Sequence, residues 1–209
     1  ASTIGLNAAI SGVSGTVAID ATGTTTIAAA GDISAGGAVT FGAAKAGTLT
    51  TSGDVTTTDD DVTFTNAVTL GGAVSIDTGG VAAGNILFSS TVGTAGNNLT
   101  LDAGPAGNVT LSGALSGGGD LTVTDGAVQA YGALTVNSID IQDATTSVTL
   151  GGAVASTTTI GINSGGTIVQ NGAITSATTV DLDAASTIGL NAAISGVSGT
   201  VAIDATGTT

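Results

Sequence analysis

The chain has no Cys, His, Met or Trp, only one proline, and a single basic side chain, Lys45, in 209 residues. Its acids are all Asp, so Glu and Arg are missing too. Without His, Cys, Glu or Arg, the groups that usually shuttle protons or stabilise developing negative charge are gone. Asp pairs cleave polysaccharides on some β-helices, but those sites also use basic or aromatic side chains that are almost absent here. The expectation is that this protein is not an enzyme, and no catalytic, cofactor-binding or metal-ligating residue is assigned.

A net charge of −14 removes the means of gripping phosphate, so no nucleic-acid partner is expected. No apolar run approaches the roughly 18 residues that span a bilayer, so no membrane insertion is expected either. The lack of Cys says only that stability comes without disulfides. With three Phe, one Tyr and 35 Gly, few large side chains are available to fill a globular centre. A thin, elongated core suits such a composition better.

What the chain does have is repetition. Residues 1–25 and 185–209 are the same string, ASTIGLNAAISGVSGTVAIDATGTT. This divides the chain into one unit, 1–184, and the start of an identical one, 185–209, in a single continuous array. Inside the unit a shorter motif recurs as IGLNAAI at 4–10 and 188–194, VTLGGAV at 68–74 and 148–154, VTLSGAL at 109–115, VQAYGAL at 128–134 and IVQNGAI at 168–174. Weaker copies begin at 27, 49 and 86, so the starts lie 18 to 23 residues apart and about nine coils fill the unit. A second apolar site follows each start, as in Val17 and Ile19, Val62 and Phe64, Leu121 and Val123, or the weak VAA at 81–83.

Each coil thus carries three short apolar stations with period-2 alternation, separated by Gly, Asn, Asp and Ser suited to turns. The pattern predicts an all-β chain, a three-sided parallel β-solenoid in which like residues stack on like. The inward column is read as Ile4, Ile27, Leu49, Val68, Ile86, Val109, Val128, Val148 and Ile168. The stretch 102–108, DAGPAGN, is read as a bulged surface turn because proline cannot donate to a ladder.

The motif copies at 108–115, 147–154 and 166–174 resemble the filamentous-haemagglutinin-type repeats of large bacterial surface and secreted proteins. That resemblance implies a right-handed β-helix, export from a bacterium, and roles in adhesion, biofilm matrix or surface filaments. Together these readings predict an extracellular or cell-surface fibre, filament or stalk. The alternative is an adhesin or biofilm-matrix binding module, and a remoter one is an ice- or mineral-binding solenoid. The expected partner is the chain itself, through end-to-end continuation and lateral bundling, with no glycan or receptor identified.

Among side chains that could hold a ligand, Asp59, Asp60 and Asp61 form the one acidic run, and Asp181 and Asp183 share an outward strand face with Asp204 stacked at the position of Asp183. Neighbouring carboxylates repel, which leaves a structural Ca²⁺ as the one cofactor to weigh against solvated acids. Threonine runs at 24–26, 56–58 and 157–159 are the basis of the ice-binding reading. Lys45 lies in a turn-like GAAKAG and is read as solvated.

Overall fold

Strands of three or four residues flanked by turn formers are too short to fold back on themselves, so their backbone groups must find partners in the next coil. The computed structural model describes residues 2–42, 47–82, 84–176 and 178–207, and Lys45 lies outside them. Among the described residues there are only strands and turns, and every strand pair is parallel. The chain is a parallel β-solenoid of about nine turns.

Pairing runs in three ladders. The first begins with Ile4–Leu6, Thr24–Ile27 and Thr48–Thr51 and ends at Ile194–Ser195. The second begins with Ile10–Val13, Ile33–Ala35 and Val55–Thr57 and ends at Val201–Ala205. The third begins with Val17–Ile19, Val39–Phe41 and Val62–Phe64 and ends at Ile188–Leu190. The long strands Leu121–Tyr131 and Ile139–Leu150 run through both the second and third ladders and join them into one sheet.

Alternation sets the core. Along the third ladder Ile19, Phe41, Phe64, Phe88, Leu111, Tyr131 and Leu150 stand in register. The three Phe rings stack face to face, Phe41 on Phe64 at 4.7 Å and Phe64 on Phe88 at 4.3 Å between centroids. Such pairs add about 0.5–1.5 kcal/mol each to the area they bury. Between the second and third ladders the inward position is small: Ala144, Ser164 and Ala184 are in register and fully buried. Where it is a hydroxyl, it bonds across the turn, Ser164 Oγ donating to the Thr167 carbonyl at 3.2 Å and Thr78 Oγ1 to that of Gly84 at 2.8 Å. These two buried hydroxyls are thereby satisfied.

The glycine of the VTLxGA motif marks a tight corner. A Cβ on Gly172 would sit 2.0 Å from the Gly152 carbonyl oxygen, and one on Gly152 2.5 Å from the Ala133 nitrogen. Only glycine lets successive coils approach this closely.

The expected inward column does not exist as a single column. Ile4, Leu49 and Val68 share the first ladder, with Thr25 between Ile4 and Leu49, while Ile27 pairs with Leu6 one step further on. Ile86, Val109, Val148 and Ile168 belong to the third ladder. The displacement arises between Val68 and Ile86, where Val74–Asp77 supplies the second ladder and the chain then loops out before Ile86. Val81, read as part of a weak station, is 87% exposed on that loop, and Ala83 lies outside the described residues.

Val128 is also misplaced by the sequence reading. It is 40% exposed, and Gln129 takes the inward position opposite Val109. An irregularity between Gly126 and Val128 resets the alternation, and with Tyr131 stacked on Leu111 the period of two places Gln129 inside. Thr25 and Thr57 likewise turn inward and are buried, so two of the threonine runs present alternating rather than continuous outward rows.

Candidate functional site

The most ordered polar feature is a set of side chains standing just before the first apolar residue of a strand. Asp61 precedes Val62, Asn85 precedes Ile86 and Asn108 precedes Val109, so the three stack along one edge of the third ladder. Asp61 Oδ1 accepts from both the backbone N and Nδ2 of Asn85 at 2.8 Å. Asn85 Oδ1 accepts from the same two groups of Asn108, at 3.0 and 2.9 Å, and Asn108 Oδ1 accepts from Val128 N at 3.2 Å. A shorter series occupies the second ladder, Asp32 Oδ1 accepting from Asp54 N at 2.9 Å and Asp54 Oδ1 from Ser75 N at 2.7 Å. These side chains satisfy backbone donors at the corners, where ladder bonding lapses.

The acidic run does not converge on a common point. Asp59 has φ of 60° and its Oδ1 accepts from Val81 N at 3.1 Å and Ala82 N at 2.8 Å. The Asp60 carbonyl accepts from the Thr57 hydroxyl, and Asp61 heads the series above. The carboxylates of Asp59 and Asp61 thus serve separate structural tasks, and Asp60 between them is engaged through its backbone carbonyl.

A second acidic strip follows the outer end of the second ladder. Asp77, Asp102 and Asp125 are in register, and further along Asn163, Asp183 and Asp204 are too, as the sequence predicts for the last pair. Asp77 and Asp102 close turns by accepting from Gly79 N and Gly104 N, at 2.8 and 3.0 Å. Asp102 Oδ2 also accepts from the Thr124 hydroxyl at 2.9 Å. Pro105 lies exposed in the turn that follows, as expected of 102–108, with its carbonyl accepting from Thr145 Oγ1 at 3.0 Å.

Asp125 differs from its neighbours. Its Oδ1 is shielded from solvent without a hydrogen-bond partner, and burial, with lesser contributions from Asp143 and Asp102, pushes its carboxyl above the usual range. Asp120 moves the other way, held below the usual range chiefly by the Asn137 amide and then the Ser138 hydroxyl, both donating to Oδ1 at 2.7 Å.

Asp140, Asn163, Asp181 and Asp183 line a shallow open groove on the outer face of the second ladder. Asp181 and Asp183 are solvent-exposed, as predicted. The groove offers carboxylate acceptors and the amides of Gln142 and Asn163. Among the described residues no three acids gather in a geometry that would hold a metal ion. The sequence reading missed Asp120, Asp125, the Gln129–Tyr131 pair and the Asn series. The recurrence of Asp or Asn immediately before an apolar doublet was the signal available for the last of these. No family model, curated protein or solved structure matches this chain.

Proposed function

We propose that this chain is a length of structural fibre: a right-handed, three-sided solenoid whose identical units follow one another in an extracellular filament or stalk. The observation that carries the reading is that the described parts of the string and its copy, residues 2–25 and 185–207, both fold as ordinary coils of one continuous solenoid. A repeated unit that re-enters its own beginning as regular structure lengthens without new contacts having to be invented. Each turn adds about 4.8 Å, so a unit contributes roughly 40 Å of length. The charge of −14 keeps such a rod soluble, and of the side chains that could have been ligands Asp59 and Asp61 are engaged in holding corners.

Fibre diffraction and imaging of native material test this. Unbranched rods with a reflection near 4.8 Å along the long axis are expected. Particles no longer than one chain, with that spacing absent from the axis, overturn the proposal.

A further inference from the structure

The two copies of the 25-residue string occupy different ladders. Ile4 pairs with Thr25 in the first ladder, whereas its copy Ile188 pairs with Ile168 in the third. Ile10 pairs with Ile33 in the second ladder and its copy Ile194 with Ile174 in the first. Val17 pairs with Val39 in the third ladder and its copy Val201 with Val180 in the second. All three stations move by one step in the same sense, so the coil as a whole is turned and no single strand has slipped.

The cause lies within the unit. Ile188 ends the third ladder as its ninth strand, so the 184 residues from Ile4 stop one ladder short of nine full turns. The step comes where Val68 and Ile86, 18 residues apart, stand on the first and third ladders instead of on the same one. Nothing in the coil opposes the change, because each ladder asks only for apolar residues at alternate positions and IGL supplies them in either place.

We infer that successive units are turned by one ladder step, so that a given surface residue returns to the same side of the solenoid only at every third unit. This rests on the tandem-array reading. Its consequence is that the Asp181 and Asp183 face is presented in turn on each side of the fibre, and a neighbouring fibre or cation meets it from all directions rather than along one edge.

The chain has no native Cys, so paired Cys substitutions report the register directly. Residues opposed on neighbouring strands are about 4.8 Å apart, within the range a disulfide bridges. The variant Thr63→Cys with Leu87→Cys joins residues opposed in the third ladder and is expected to close on oxidation, as is Thr69→Cys with Gly93→Cys in the first. A unit of whole turns would instead set Val68 over Ile86 and close Thr69→Cys with Leu87→Cys. Thr149→Cys with Val169→Cys closes in either register and serves as the control. Closure of the Thr69 and Leu87 pair, or failure of both expected pairs while the control closes, overturns the inference. That result leaves the fibre reading standing. Native material that forms no rods removes the fibre reading without altering the crosslinks.

Discussion

The Tyr131 hydroxyl donates to Gln129 Oε1 at 2.6 Å, with both side chains buried among aliphatic neighbours. Gln129 completes the arrangement by donating from Nε2 to the Asp143 carbonyl at 3.3 Å. The flanking coils use Val109 and Leu111 on one side and Val148 and Leu150 on the other. One coil therefore substitutes a polar pair for an apolar one, and each member requires the other.

Removing one partner strands the other. Tyr131→Phe should lower stability by about 1–3 kcal/mol, because a buried amide oxygen loses its donor. The double variant Gln129→Val with Tyr131→Leu copies the neighbouring coils and should recover most of that loss. Urea unfolding of Gln129→Val, Tyr131→Leu and their double gives the coupling, and simple additivity would show that the pair does not act as a unit.

Phe64 lies between two rings and should be the costliest aromatic to truncate. Phe64→Ala is expected to destabilise by about 3–5 kcal/mol, while Phe64→Leu, matching Leu111 in the same column, should cost distinctly less. The midpoint of urea unfolding distinguishes the two.

Asp125 and Asp120 should respond to pH in opposite ways. A carboxyl raised in the folded state favours folding only when protonated, a contribution complete below the unfolded value of 3.8 and lost as pH rises through the folded one. Asp125→Asn should therefore raise the melting temperature at neutral pH and leave it unchanged in strong acid. Asp120 stabilises above 3.8 and loses that contribution as pH falls through its lowered value, so Asp120→Asn should destabilise at neutral pH and converge with the parent in acid.

Gly172→Ala and Gly80→Ala make the same chemical change in opposite settings. The first drives a methyl into the Gly152 carbonyl and should cost about 1–3 kcal/mol, whereas the second meets open space and should stay within about 0.5 kcal/mol. Equal effects on the melting temperature would mean that corner spacing is not what fixes the motif glycine.

The solenoid was legible because alternation is local: an apolar doublet such as Val62 and Phe64 marks an inward face whatever lies around it. Which ladder a doublet joins was not legible, since IGL, VTL and VTF are equivalent on all three. That equivalence made Val68 and Ile86 look like successive members of one column. Gln129 was hidden for another reason. Hydrophobicity favours Val128, and only the large Tyr131 two residues on sets which of the two faces inward. Asp125 was not separable from the other acids, because its burial and the approach of Asp143 and Asp102 arise only once the coils are stacked.

The interchangeability of the ladders bears on how such a gene would change length. Recombination between the two copies of the 25-residue string deletes or adds a piece that is not a whole number of turns, yet the joined chain still finds alternating apolar residues wherever its strands fall. A globular core punishes an insertion of the wrong length. Here the product of unequal crossing-over is a rod of different reach, with its decorations re-aimed and its interior intact.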